Sequence, residues 1–232
     1  MPQSATVDLA QGAHCDRSLR FAGSQEKTLA ATEAIAMLQI RFHGRGGQGV
    51  VTAAELLAIA AFAQGRHAQA FPSFGSERTG APVVAFCRID DREIRLREPI
   101  VTPDVLIVQD PTLLHQVDVF QGLGRDGYVL INSRRGFDEL GVAEIARRFR
   151  QERLLTVPAT EIALKHLGRP LPNAVLLGGF AALTAIVTLD AVAHAIRDKF
   201  SGKVADGNVA GATEAFDAVR HALAEVADAP AS

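Results

Sequence analysis

An α/β fold, with a mostly parallel but mixed sheet in a three-layer α/β/α Rossmann-like domain, is what three observations predict. The runs DVLIVQD (104–110) and GYVLIN (127–132) are continuously apolar, as central strands covered on both faces are. Helical stretches alternate with them at 138–150, 160–167, 173–187, 189–200 and 209–226. A strand, LQIRFH, runs through Gly44-x-Gly46-x-x-Gly49 into the apolar helix VVTAAELLAIAAFAQG, the opening of a nucleotide-binding type of unit.

Each element has its own signal. Residues 1–37 are polar and rich in small residues without sustained periodicity, so they read as an N-terminal extension, disordered or wrapped on a partner. One short helix is expected within it, around 28–37. The domain proper spans 38–232. Leu38, Ile40 and Phe42 alternate with polar residues and mark the first strand. The helix after the glycine turn closes at Gly65, and HAQAF makes a short strand. PVVAFCRI and REIRLRE read as a hairpin turning at Asp90-Asp91, which is what makes the sheet mixed. Asn173, after RPLP, is placed to cap the helix that starts near Ala174.

Composition narrows the function. With 48% hydrophobic and 22% charged residues and a net charge of −2, the chain is an ordinary globular one without the basic stripe of a nucleic-acid binder. The longest apolar run, 174–187, is shorter than the roughly 20 residues of a membrane span, and no signal-like start is present, so a cytoplasmic location is expected. The two cysteines, Cys15 and Cys87, cannot ligate an iron–sulfur cluster alone, which takes about four thiolates.

The glycine turn has two readings that both stand at this point. Backbone amides at a helix start form an anion site, and glycine lets a phosphate approach them. Equally, the glycines serve a tight structural turn or a subunit contact. A dinucleotide site would add an acidic residue about 20 positions on, but GRHAQAFPSFG carries no carboxylate before Glu77. No Gly-Lys-Ser/Thr follows, which argues against a P-loop. The loop FPSFGSERTGAP (71–82) is the more unusual stretch. Its Arg78 either grips a phosphate or carboxylate, bonds with Glu77 across a subunit contact, or forms a solvated ion pair.

Four segments in order resemble one family. GRGGQGVVTAAELLA, QAFPSFGSERTGAPVVAFCRI, PDVLIVQDPTLL and PNAVLLGGFAALTAIV are similar to the gamma subunit of 2-oxoacid:ferredoxin oxidoreductases of the pyruvate synthase type, from about Leu38 to Leu223. The chain departs from many relatives at Ala174, where they carry Thr. The resemblance implies a subunit of an enzyme that oxidatively decarboxylates a 2-oxoacid, typically to acyl-CoA and carbon dioxide. Thiamine diphosphate with Mg2+ is implied in alpha and beta partners, and [4Fe–4S] clusters in a ferredoxin-like partner. Electrons then pass to ferredoxin or, through a flavin subunit, to NAD. No catalytic residue or metal ligand is assigned to this chain, which holds no cofactor alone. Coenzyme A or interface contacts are expected at Gly44, Arg45, Gly46, Gly47, Gln48 and Gly49, at Ser76, Glu77, Arg78 and Thr79, and at Asn173. Arg45 and Arg78 are expected to offer positive charge. The rival readings are a self-sufficient NAD(P)- or flavin-binding reductase and a stand-alone coenzyme A or anion-binding module.

Overall fold

A computed structural model of the chain describes residues 37–73 and 80–228. The expected helix around 28–37 falls almost wholly outside these residues. Six strands form the sheet: β1 (Leu38–Arg45), β2 (His67–Pro72), β3 (Pro82–Asp90), β4 (Val105–Val108), β5 (Tyr128–Asn132) and β6 (Leu154–Val157). The helices are α1 (Val50–Ala63), α2 (Ala143–Ala146), α3 (Ala159–Leu167), α4 (Asn173–Thr184), α5 (Leu189–Lys199) and α6 (Gly202–Asp228). The strand order is β2-β3-β1-β4-β5-β6. β1, β4, β5 and β6 run parallel, while β3 is antiparallel to both its neighbours.

The mixed character of the sheet therefore has a different origin from the expected hairpin. REIRLRE is not a strand, because both edges of β3 are already taken by β1 and β2. The segment instead crosses the sheet face, held by Arg88, whose guanidinium donates to the carbonyls of Glu98 (2.8 Å) and Leu96 (3.3 Å). Helix is also shorter than expected at 138–150, where only α2 forms; Gly141 sits at φ +70°, a left-handed conformation that interrupts an α-helix. β6 escapes sequence reading because four residues, LLTV, follow directly on the charged run ARRFRQER.

Two cores flank the sheet. Ile40, Phe42, Ile107 and Leu130 meet α1, α4 and α5 on one face. Leu106, Val108, Val129 and Ile131 meet Leu113, Phe120 and Phe149 on the other. α4 and α6 come so close that a side chain on Gly178 would run into the Ala212 carbonyl. No helix among the described residues is long and apolar enough to cross a membrane.

The topology also fixes where a site belongs. From β1 the chain moves to one side, through α1 to β2; from β4 it moves to the other, to β5 and β6. The carboxyl ends of β1 and β4 thus form a topological switch point, the crevice where open α/β sheets bind ligands.

Candidate functional site at the sheet switch point

The glycine turn lies at this crevice. Gly47 (φ +94°) and Gly49 (φ +71°) take left-handed conformations that a side chain would strain. Gly44 is required for packing, since a Cβ there would sit 2.6 Å from Val50 Cγ2 and 3.2 Å from Gln109 Cβ. Gly46 is spent on its neighbour: its N–H donates to Ala81 O (2.9 Å), and its own carbonyl accepts from Gly80 N–H (3.2 Å). α1 begins after Gly49 with no side-chain cap and no acidic residue in its first turn. Its first amides, at Val50, Val51 and Thr52, have no intrahelical acceptor and carry the partial positive charge of the helix start.

Arg45 and Gln48 do not point to open space. Arg45 Nε donates to Asp110 Oδ2 (3.1 Å), one terminal nitrogen to Gly80 O (3.0 Å), and the other to Thr112 Oγ1 (2.7 Å) and Gln116 Oε1 (2.9 Å). Gln48 Oε1 accepts from Arg45 N–H (2.8 Å), and its Nε2 donates to Asp110 Oδ2 (2.9 Å). Arg45, expected to offer positive charge to an anionic ligand, is paired with Asp110 here and its donors are engaged. Burial pushes the Asp110 carboxyl up, but hydrogen bonds from Thr112 and Gln48 and the nearby Arg45 outweigh it. The group stays below the usual carboxylate range, and ionised. Asp110, Thr112 and Gln116 were not among the sequence candidates. The available signal was Asp-Pro-Thr directly after an apolar strand, and Asp110 indeed caps the short 3-10 turn Pro111–His115 through Thr112 N–H (3.0 Å).

Asn173 joins the glycine turn, though not as a cap. It is the first residue of α4; Pro172 precedes the helix, and no side-chain cap bond forms. The carboxamide is turned instead towards Gly49, where it would collide with any Cβ. Together these residues border two clefts. One of about 540 Å³ runs from Gly47, Gly49 and Thr52 past Asn173 and Arg169 to Phe200. A second, of about 300 Å³, opens on Arg45, Gly46, Gly47 and the first turn of α1. Ser76, Glu77, Arg78 and Thr79 lie outside the described residues.

A dinucleotide site does not fit this crevice. In such folds the ribose-binding carboxylate ends the strand that follows α1 and lies beside β1; here that strand is β2, which ends at Pro72 and is separated from β1 by β3. Cys87 is fully buried, and burial pushes its thiol up, away from the thiolate a metal needs. Among the described residues no group of three or more His, Cys, Asp or Glu gathers to hold an ion.

A Rossmann-like α/β domain whose switch-point turn is braced from within, with the first turn of its helix lining two clefts, is the class of protein that fold and site define. The chain belongs to the pyruvate ferredoxin/flavodoxin oxidoreductase family, whose model matches residues 39–218. It is 50% identical over 181 residues to the pyruvate/ketoisovalerate oxidoreductases common subunit gamma of Pyrococcus abyssi, covering 78% of this chain and 96% of that one. The pyruvate synthase subunit PorC of Methanothermobacter marburgensis is 48% identical, with 80% and 99% covered. Among solved structures, the pyruvate oxidoreductase subunit PORC of Thermotoga maritima superposes with a TM-score of 0.66 at 35% identity, covering 78% of this chain and 96% of that one. The reading of the chain as a self-sufficient reductase finds no support among these relatives.

Proposed function

We propose that this chain is the gamma subunit of a multisubunit thiamine diphosphate-dependent 2-oxoacid oxidoreductase, and that it forms the coenzyme A side of the shared site. The observation that carries the reading is the switch-point turn: Gly47, Gly49 and the first turn of α1, whose amides have no intrahelical acceptor, line two clefts, while the side chains of Arg45 and Gln48 are tied back to Asp110. Coenzyme A supplies the thiol that takes the acyl group, and its phosphates are the kind of anion a helix start favours. Gly47, Gly49 and Asn173 are the proposed contacts within the described residues. Ser76, Glu77, Arg78 and Thr79 are proposed from sequence alone. In this reading Gly44, Arg45, Gly46 and Gln48 build the turn rather than touch the ligand.

Thiamine diphosphate with Mg2+ is proposed for alpha and beta partners and the [4Fe–4S] clusters for a ferredoxin-like partner; the full burial of Cys87 supports the latter, since clusters take thiolate ligands. Pyruvate is the favoured substrate, with branched 2-oxoacids next, following the names of the gamma relatives. Ferredoxin is the favoured acceptor, and NAD is reached only through a flavin subunit. The complex is placed in the cytoplasm.

The test is anaerobic purification of the tagged chain from its native host. A brown complex with thiamine-binding and cysteine-rich chains, reducing ferredoxin when given pyruvate and coenzyme A, is the expected result. A colourless chain that emerges alone overturns the proposal.

A further inference from the structure

We infer that Asp110 is a positioning residue for the glycine turn, acting through Arg45 and Gln48 to set the direction in which the first amides of α1 face a bound anion. The inference rests on reading that turn as the coenzyme A contact. Its basis is convergence. One carboxylate accepts from three elements: Arg45 at the end of β1 (3.1 Å), Gln48 in the turn (2.9 Å), and Thr112 through both its N–H (3.0 Å) and its hydroxyl (2.6 Å).

The turn needs such an anchor. Between Gly46 and Gly49 the single side chain is that of Gln48, and glycine loses more conformational freedom on ordering than any other residue. Gln48 uses its carboxamide at both ends, one on Arg45 N–H and the other on Asp110. Arg45 carries the same anchor across to Gly80 O (3.0 Å), and Gly80 N–H and Ala81 O hold the backbone of Gly46. With Asp110 removed, the turn keeps its sequence and loses its orientation. Because Arg45 pairs with the carboxylate at 3.1 Å, the carboxylate braces the turn without presenting bare negative charge to an anion.

Asp110→Asn separates this role from a simple charge effect. Whichever way the new carboxamide turns, its nitrogen replaces one of two acceptor oxygens, facing either Arg45 Nε and Gln48 Nε2 or Thr112 N–H, and can accept from none of these donors. By charge alone, deleting a carboxylate beside an anion site tightens anion binding; loss of positioning weakens it. In the purified complex, D110N is expected to raise the KM for coenzyme A about tenfold while kcat stays within about twofold. Amide hydrogen exchange in peptides covering residues 44–52 is expected to accelerate, with β5 and β6 unchanged. Gln48→Ala should act in the same direction, and the double variant should be no worse than D110N, since both act through one bridge.

Unchanged exchange at 44–52, or a lowered KM for coenzyme A, overturns the inference. Faster exchange with an unchanged KM upholds the positioning role and instead removes coenzyme A from the turn. Should D110N not assemble, Q48A carries the same two readouts and decides in the same way.

Discussion

Burial without a partner sets the chemistry of His43, one residue before the glycine turn. Its side chain is nearly inaccessible, and Nε2 has no hydrogen-bond partner. Desolvation, and then the positive charge of Arg41, lower its pKa from 6.5 to about 4. The folded chain thus resists a proton that the unfolded chain accepts near 6.5. Stability present above that pH is lost as the pH falls towards 4, by about 2 kcal/mol at pH 5 from this group. Urea unfolding at pH 8 and pH 5 should show a smaller pH effect in His43→Gln by about that amount. An identical pH effect in the variant would mean that His43 is not held neutral by the fold. Arg45 teaches a related lesson at the same scale. Its residue type and place beside three glycines announce an anion contact, yet its real partner, Asp110, lies 65 residues away in sequence. Pairings of that separation leave no periodicity, so sequence could name the turn but not its anchor.

Glycines show the same contrast between elements. At Gly178 the obstacle is packing: α4 and α6 touch through backbone, so Gly178→Val must push two helices apart and should cost about 3 kcal/mol. At Gly47 nothing lies within reach of a Cβ, and the obstacle is conformation, so Gly47→Ala should cost only about 1 kcal/mol. Thermal unfolding of the two variants checks the ranking, and equal losses would deny the close approach of α4 to α6. Elements were legible where one face or both are uniformly apolar, as in β1, α1, β4, β5 and α4. They were lost where neighbours decide the outcome. REIRLRE has a strand composition but finds both sides of β3 already paired, and Asn173 has a capping composition but is drawn towards Gly49. β6 was hidden by its brevity; four residues suffice because β5 pairs with the whole of it.

At the scale of the molecule the two faces of the sheet are built differently. Helices cover one, while the other is closed beside β1 and β3 by irregular chain lying over two buried arginines. Arg88 is 1% exposed and holds the carbonyls of Leu96 and Glu98; Arg41 is 7% exposed and holds those of Ile100, Val119 and Gln121. Every acceptor in this arrangement is main chain, which all twenty amino acids supply, and the side chains of residues 95–99 face solvent. The letters of that strip are therefore nearly interchangeable, while its length and its two anchors are not. In a saturation library scored by assembly of the complex, positions 95–99 should accept most replacements. Arg41 and Arg88 should accept none, lysine included, because an ammonium cannot span divergent carbonyls as a planar fork does. Selection on this surface would act on reach rather than on spelling, leaving lineages free to redraw the outer skin of the subunit while its crevice stays the same.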